Sequence, residues 1–544
     1  MKKATEYNAH YMFEEDSMNF DFPVEIHVSR FHNNQFITLA DVDYKVPFDN
    51  PDAFKVYLNT TEPSTSPNRE PIETIIRNAN QYDLILTTDV EILENCPNAI
   101  MFPYGTTWLN TGKIDHPDGF GEYDESLDEL HENKRFEISF LCSNHARSLE
   151  GYDKRKEIWS RRSEFENPTL FYSSTRHPIS PNILPEDDKK YLFNSQFHIT
   201  IESSTIPNYF SEKLIDALIT KTVPIYWGCP NIGDFFDVRG IIIVDSETDV
   251  VEVCNNITSE TYEEMKPFVD ENYKRAREYA RPFSDRVKEE ILREIRIRED
   301  ENKPKLLTIG ICHLNERKEK LEALLVSIQE SAPQEYMNKI EIVVNADNGE
   351  KSVGQKRNEI LSSANGRFIS FVDDDDLISK EYVKCIVNCI EHKRELDCIG
   401  FTGKYYVNGV PSGIFKHANS YGGNFKDHIN TPSLTAFRGM LTANEESLDA
   451  DNIQYRPCNH LNPVRTSIAQ QIGFPDKNYG EDSDYSDRLL ESGLLKNEMI
   501  IRPIMYHYFF NEEASRTSGG KEYIAKPLYE RVNKFIQYNN LGGN

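Results

Sequence analysis

Four consecutive aspartates, Asp373, Asp374, Asp375 and Asp376, follow directly on the apolar run at residues 368–372. Such a run predicts a buried strand, and ligands of open α/β sheets bind beyond the carboxyl ends of strands. Carboxylates at that edge can hold a divalent ion against a pyrophosphate. Because side chains alternate along an extended chain, Asp373 and Asp375 are expected to reach one ion. The alternative is an acidic loop that only faces water.

The segments around this quartet alternate between strand-like and helix-like patterns, which predicts an α/β domain. Strand-like runs at 306–312 and 340–344 precede it, and the second of these leads to Asp347. A helical segment then carries Arg357, and a turn at Gly366 opens the acid-terminated strand. Further on, Glu481 and Asp482 open a helical pattern, where acids also gain from the helix dipole.

This ordered set of motifs, over about residues 305–512, resembles the GT-A glycosyltransferases of family 2. The resemblance implies that Asp347 reads the nucleotide base and that Arg357, Asp373 and Asp374 contact the donor. It also implies a Mn²⁺ or Mg²⁺ ion on Asp373 and Asp375, and a UDP-sugar as substrate.

The same resemblance assigns the catalytic base to the acidic pair at the helix start. An inverting displacement needs one carboxylate on the side of the sugar opposite the departing nucleotide. Asp482 is the first candidate and Glu481 the second. His507 ends an apolar segment and is a candidate third metal ligand, although a histidine among aromatic residues is often simply packed. His460 is expected to shape the acceptor pocket.

A second group of chemical residues lies between positions 192 and 244. A strand-like run delivers Glu202 and Ser203 to a loop, and Ser211 then caps a helix whose first turn carries Glu212 and Lys213. The free N–H groups of a helix start, together with a lysine, can hold a diphosphate without a metal. This segment therefore predicts a second nucleotide site of a different kind.

This segment, within about residues 138–300, resembles the α1,3-fucosyltransferases of family 10, with Ser203 where that family commonly has Asn and Ser211 where it has Thr. The resemblance places Glu202, Tyr209, Glu212 and Lys213 on donor-site positions and implies a GDP-sugar as substrate. Arg155 is a candidate to neutralise the leaving diphosphate, because a guanidinium binds phosphate bidentately. The alternative is that Arg155, Arg161 and Arg162 form an exposed charged helix face.

Composition narrows the classes of partner. The formal net charge is −28, from 61 basic and 89 acidic side chains, so no nucleic-acid partner is expected. No segment approaches the roughly 20 apolar residues that span a bilayer. Nine cysteines, an odd number spread along the chain, favour reduced thiols in a cytoplasmic protein. Cys385 and Cys389 are read as core residues rather than metal ligands.

The patterns predict an α/β chain with a GT-B-like pair of Rossmann-like domains, at 1–135 and 136–302, followed by a GT-A domain at 303–544. The first domain would bind a glycan acceptor and the second a nucleotide sugar. We expect a bifunctional glycosyltransferase, inverting at both sites and metal-dependent only at the second. Two alternatives stay open: a non-catalytic, glycan-binding N-terminal half, or glycosylation of modified nucleobases, which the acidic charge disfavours.

Overall fold

The computed structural model describes residues 2–3, 5–7, 19–28, 50–59, 72–109, 123–132, 134–144, 149–421 and 453–510. The chain divides into two compact units, Met1–Leu292 and Arg293–Asn544. The boundaries expected at residues 135 and 302 stay predictions. None of the helices within the described ranges is long and apolar enough to cross a membrane.

The first unit contains two parallel sheets. Its strands are β1 (Lys2–Lys3), β2 (Thr5–Tyr7), β3 (Asn19–Phe20), β4 (Val24–Val28), β5 (Phe54–Asn59), β6 (Leu84–Thr87), β7 (Ala99–Met101), β8 (Arg135–Cys142), β9 (Thr169–Ser173), β10 (Ser195–Ile201), β11 (Val223–Trp227) and β12 (Ile242–Ile243). One sheet has the order β2-β4-β5-β6-β7 and the other β12-β11-β10-β8-β9, while β1 pairs with β3 alone. Every pair within the two larger sheets is parallel.

Helices connect the strands of the first unit and cover the second sheet on both faces. They are α1 (Ile72–Asn78), α2 (Val90–Asn95), α3 (Glu129–Glu132), α4 (Glu150–Ser160), α5 (Glu212–Ile219), α6 (Val250–Asn256) and α7 (Ser259–Tyr279). Every residue of β10 and β11 is buried. This is expected of parallel strands with helices on both faces, which read as continuous apolar runs.

The second unit is built on one mixed sheet. Its strands are β13 (Lys305–Leu314), β14 (Ile340–Asp347), β15 (Gly366–Phe371), β16 (Leu377–Ile378), β17 (Cys398–Val407), β18 (Val410–His417), β19 (Ile453–Arg456), β20 (Val464–Arg465) and β21 (Glu498–Phe510). The order is β14-β13-β15-β20-β17-β18-β19, with β21 pairing β17 and β16. The expected α/β class, with parallel sheets, is confirmed for the chain.

The remaining helices are α8 (Phe283–Glu301), α9 (Lys318–Ser331), α10 (Gln334–Met337), α11 (Val353–Ser363), α12 (Tyr382–His392), α13 (Thr466–Ile472) and α14 (Glu481–Glu491). The sequence predicts a helix only to Arg298 and a polar linker after it, whereas α8 continues to Glu301. Arg394 explains the extra turn, because its guanidinium donates to Glu294 and to Glu301, each at 2.8 Å.

Candidate active sites

The second unit collects acidic side chains at one edge of its sheet. Strand β13 runs parallel to both β14 and β15, so the carboxyl ends of all three strands lie at the same edge. Asp347 is the last residue of β14 and pairs in register with Leu314. The aspartate quartet starts two residues after the end of β15. This is the edge at which ligands of open α/β sheets bind.

Burial alternates along the quartet. The side chains of Asp373 and Asp375 are 34% and 37% exposed. Asp374 and Asp376 are buried at 4% and 2%. Two partly exposed carboxylates one residue apart suit Mn²⁺ or Mg²⁺, which take oxygen ligands and usually only one or two protein carboxylates beside substrate phosphates.

The two buried aspartates have partners that hold the quartet in place. Asp374 accepts a hydrogen bond from Arg317 at 3.0 Å and lies 2.8 Å from Nδ1 of His313. Asp376 accepts from the Tyr506 hydroxyl at 2.8 Å and from the Phe509 N–H at 2.7 Å. The predicted donor residue Asp374 is thus engaged with side chains of its own unit.

Arg357 joins the quartet to the start of α14. Its Nη1 donates to Glu481 Oε1 at 2.8 Å and its Nη2 to Asp373 Oδ1 at 3.2 Å. The side chain is 3% exposed and its guanidinium lies 5.3 Å from the ring centre of Phe474. Burial raises the pKa of Glu481, and the charge of Arg357 opposes that shift.

Asp482, the first candidate base, differs from its neighbour. Glu481 is buried and ion-paired with Arg357, whereas Asp482 is half-buried. Within the described ranges Asp482 makes no hydrogen bond and no ion pair. A general base needs a carboxylate that can reach an acceptor hydroxyl, so the geometry favours Asp482 over Glu481.

The position of Arg357 depends on a close approach at the start of α11. A Cβ atom on Gly354 would lie 1.8 Å from the carbonyl oxygen of Pro475, so only glycine fits there. Ser352 caps the helix and donates through Oγ to Asp476 at 2.6 Å. The segment leading into α14 is therefore fastened to the helix that carries Arg357. A glycine in the first turn of a helix is the one sequence signal for this contact, and Asp476 has none.

Asp347, which is predicted to contact the nucleotide base, accepts hydrogen bonds within the turn that follows β14. It is 9% exposed and accepts from the N–H groups of Gly349 at 3.0 Å and Lys351 at 2.8 Å. It also forms an ion pair with Lys356, whose Nζ donates to the carbonyl of His313 at 2.8 Å. The carboxylate thus lies at the expected edge, with its oxygens already bonded.

The two histidines occupy different surroundings. His507 lies in β21 opposite Leu377, and its Nδ1 is 3.1 Å from the Tyr406 hydroxyl. Burial lowers the pKa of His507 to about 4. Among the described residues, the ligand atoms of Asp373, Asp375 and His507 do not all come within 4.8 Å of one another.

His460, by contrast, faces the quartet. Its Nε2 lies 3.6 Å from Asp373 Oδ2, and its carbonyl accepts from the Phe371 N–H at 2.8 Å. The ring is buried, and neither nitrogen has a hydrogen-bond partner in the part of the chain that the structure describes. The catalytic, donor-binding and metal roles expected of these residues stay predictions.

In the first unit, Glu202 anchors the loop that follows β10. Its side chain is fully buried and accepts from the Ser211 N–H at 2.8 Å and the Ser211 hydroxyl at 2.6 Å. Its own N–H donates to the carbonyl of Trp227 at 2.9 Å. Burial raises the pKa of Glu202. The end of β10 is thereby tied to the N-cap of α5.

The start of α5 carries charges of alternating sign. Lys213 Nζ lies 3.1 Å from Glu212 and 3.9 Å from Glu202. Lys189 lies 3.8 Å from Glu212 and 3.0 Å from the fully buried Asp216. Lys189 and Asp216 were not expected from the sequence, because a long-range ion pair leaves no local pattern.

Arg155 and Ser203 lie beside this group. The N–H of Gly151 donates to the Ser203 carbonyl at 3.0 Å, and a Cβ on Gly151 would lie 1.8 Å from the Glu202 carbonyl oxygen. Helix α4 therefore packs directly on residues 202–203. Arg155, one turn later, is 8% exposed and donates through Nε to Gly151 at 3.1 Å.

Two polar atoms of this region are buried without a hydrogen-bond partner among the described residues, Arg155 Nη2 and Ser203 Oγ. Such atoms cost free energy unless a ligand or water satisfies them. Arg162, in contrast, is exposed, and Arg161 is partly exposed and pairs with Glu164 and Asp249. The exposed-face alternative thus describes Arg162, and in part Arg161, but not Arg155.

Tyr209 lies in the same loop, between β10 and α5. It is 3% exposed and stacks on Tyr104, with ring centres 6.3 Å apart and planes 13° from parallel. Tyr104 follows β7 of the first sheet. All six donor-site candidates of the first unit thus lie on α4, at the end of β10 or at the start of α5.

The chain is of the α/β class, and charged side chains collect at the edges of its sheets. Comparison with known proteins shows what the chain is similar to. No protein-family model matches the chain. It is 27% identical over 134 residues to alpha-(1,3)-fucosyltransferase FucT of Helicobacter pylori. The match covers 24% of this chain and 25% of that protein, so the chain spans about a quarter of the length of this curated relative. This match confirms the resemblance to α1,3-fucosyltransferases over 134 residues.

Two groups of solved structures are similar at low scores. A crystal structure of alpha1,3-fucosyltransferase with GDP-fucose matches with a TM-score of 0.26 and 18% identity, covering 52% of this chain and 78% of that one. Staphylococcus aureus TarS in complex with UDP-GlcNAc matches with a TM-score of 0.25 and 16% identity, covering 42% and 65%.

Proposed function

We propose that the chain is a glycosyltransferase with two active sites, one in each unit, that moves sugars from nucleotide donors to a glycan acceptor. The observation that carries the proposal is the junction made by Arg357. This buried residue contacts Asp373 at a sheet edge and Glu481 at a helix start. It places a candidate donor site next to a candidate base. The match to a fucosyltransferase supports the same class for the other unit.

At the C-terminal site, Asp482 takes the proton of the acceptor hydroxyl as that oxygen attacks the anomeric carbon of the sugar. The bond to the diphosphate breaks on the opposite face, so the configuration inverts and the nucleotide departs. Arg357 holds Asp373 and Glu481 in place during this step. A divalent ion on Asp373 and Asp375 would supply positive charge against the diphosphate of a UDP-sugar.

At the N-terminal site, the positive charge comes from the protein. In the part of the chain that the structure describes, Arg155 Nη2 is buried without a hydrogen-bond partner, and Lys213 lies in the first turn of α5. A guanidinium, an ammonium and the N–H groups of a helix start together suit a nucleotide diphosphate such as that of a GDP-sugar. This site therefore needs no metal ion.

A second candidate function is a glycan-binding first unit that does no chemistry. One observation favours it: Lys213 already lies within 4 Å of two carboxylates, those of Glu202 and Glu212. These acids offset the charge that a diphosphate would need. Arg155 is then the residue on which donor binding depends.

Donor hydrolysis separates the candidates. GDP- and UDP-sugars are supplied with Mn²⁺ or with chelator to the full chain and to the variants Lys213→Ala and Asp375→Ala. We expect Asp375→Ala to abolish only a metal-requiring activity and Lys213→Ala only a metal-insensitive one. The controls are Lys266→Ala, an exposed lysine of α7, and Asp487→Asn, an exposed acid of α14.

Three outcomes distinguish the two candidate functions from each other and from the absence of transferase activity. Loss of both activities in either variant contradicts separate active sites. A metal-requiring activity alone, unaffected by Lys213→Ala, favours the glycan-binding first unit. Absence of any hydrolysis or transfer with the whole donor panel contradicts the proposed function.

A further inference from the structure

Two cysteines and a glutamate that have no assigned part in sugar transfer meet in the second unit. Cys398 is the first residue of β17 and pairs in register with Glu498, the first residue of β21. Cys458 lies between β19 and β20. The two Sγ atoms and a carboxylate oxygen of Glu498 all lie within 4.8 Å of one another. Each Sγ is 3.8 Å from Glu498 Oε1.

The two sulfur-to-oxygen separations of 3.8 Å match the edges of a metal tetrahedron. Zn²⁺ binds thiolate sulfur at about 2.3 Å and carboxylate oxygen at about 2.1 Å, which places neighbouring ligand atoms roughly 3.5 to 3.8 Å apart. The three atoms are therefore close enough together for one ion to contact all of them.

We propose that Cys398, Cys458 and Glu498 bind one Zn²⁺ ion. Two thiolates select a borderline-soft metal, whereas Mg²⁺ and Mn²⁺ prefer sites made only of oxygen ligands. The site therefore differs in chemistry from the Asp373 and Asp375 pair. Three protein ligands leave one tetrahedral position for a water molecule.

Neighbouring groups hold the three ligands in position. The N–H of Asn419 donates to Glu498 Oε1, and the N–H of Ser420 donates to Oε2 at 3.3 Å. Ser486 Oγ donates to the Cys458 carbonyl at 2.7 Å. Hydrogen bonds of this kind orient metal ligands and limit the cost of binding.

Binding exchanges protons for the ion. In the metal-free protein the thiols lie within hydrogen-bonding distance of the Glu498 carboxylate, and both must lose a proton as Zn²⁺ enters. Two protons are released per ion, so affinity rises with pH. The bound ion, two thiolates and one carboxylate carry a net charge of −1.

The ion would fasten a segment that leads to the candidate active site. Cys458 precedes His460 by two residues, and His460 Nε2 lies 3.6 Å from Asp373. Zinc would tie this segment to the first residues of β17 and β21.

The test begins with the full chain, purified without chelator and measured for zinc by plasma mass spectrometry. We expect one zinc per chain in the wild type and in the control Cys385→Ser/Cys389→Ser, whose cysteines lie on α12. The double variant Cys398→Ser/Cys458→Ser should lose that zinc. Asp375→Ala should retain it, which separates the site from the aspartate pair. Unchanged zinc in the Cys398→Ser/Cys458→Ser variant overturns the proposal.

Measurements on the wild type keep the test valid if the double variant does not fold. Cobalt substitution should produce a thiolate-to-cobalt charge-transfer band, and alkylation mapped by mass spectrometry should show Cys398 and Cys458 protected until a chelator is added. Absence of the band overturns the proposal. A Cys398–Cys458 disulfide in protein purified without reductant, with no zinc bound, also overturns it.

Discussion

The two candidate sites lie at the edges of parallel strands, yet they present opposite charges to a diphosphate. In the second unit, Asp373 and Asp375 keep about a third of their side-chain area exposed. In the first unit, the candidate donor site contains Arg155, whose Nη2 is buried without a hydrogen-bond partner among the described residues, and Lys213, which pairs with Glu212. Under the proposed function, an added cation would bind at the acidic edge, beside the lysine that lies 3.2 Å from Asp375, whereas side chains of the protein would supply the positive charge at the other edge.

The difference predicts which change abolishes diphosphate binding at each site. An acidic site loses its anion affinity when the ion is removed, whereas a basic site responds to the loss of one guanidinium. Because each unit has its own sheet and core clusters, a substitution in one is expected to leave the other unaffected. The following predictions use that independence.

The largest effect is expected from Asp482→Asn. The amide keeps the size of the side chain but cannot accept a proton, and loss of a general base costs about 10²–10⁴-fold in rate. We expect kcat of the metal-dependent transfer to fall by that factor, with KM for the donor little changed. Steady-state kinetics with Asp487→Asn as the control measures this. A similar fall in the metal-independent reaction would break the comparison between the sites.

Arg357→Met should destabilise the second unit. The substitution leaves Asp373 and Glu481 close together without their shared cation, and removing one partner of a buried ion pair costs about 3–5 kcal/mol. Denaturant unfolding followed by fluorescence measures the loss. The control is Lys318→Met, because Lys318 lies on α9 of the same unit and is 81% exposed in its ion pair with Glu322. Equal stability of the two variants would show that the Arg357 junction contributes nothing.

Local patterns explain how much of these sites was predictable. The Ser211 cap follows from its position before an apolar helix. The burial pattern of the quartet has a different origin from the expected extended chain, because Asp374 and Asp375 form a turn in which the Asp376 N–H donates to the Asp373 carbonyl at 3.1 Å. The partners of Asp376 come from β21, far along the sequence, and the contact of Gly354 with Pro475 exists only after folding. Such contacts leave no periodic signal, so neither they nor the extension of α8 could be predicted.

A third prediction concerns pH and the first unit alone. His198 is buried in β10, with Nδ1 2.8 Å from the Ser139 hydroxyl, and burial lowers its pKa from 6.5 to about 3. As pH falls below about 6.5, His198 takes up a proton in the unfolded chain but stays neutral in the folded unit. Its contribution to the free energy of unfolding is therefore fully present above that pH and is lost toward pH 3.

The loss should be on the order of 3 kcal/mol, because each unit of pKa difference corresponds to about 1.4 kcal/mol and buried sites relax in part. Unfolding midpoints between pH 7 and pH 4 measure it. His198→Gln should flatten the pH dependence, whereas His392→Gln, at an exposed position on α12, should leave it intact. An unchanged slope in His198→Gln would assign the dependence to other groups.

The smallest effect, about tenfold, is expected from Arg155→Lys. An ammonium keeps the charge but loses the planar pair of donors that matches a phosphate. We therefore expect KM for the donor of the metal-independent reaction to rise, with stability nearly unchanged and the metal-dependent reaction unaffected. Arg161→Lys, at a partly exposed ion pair, is the control. Equal kinetics for both variants would indicate that Arg155 does not contact the donor, and would favour the glycan-binding account of the first unit.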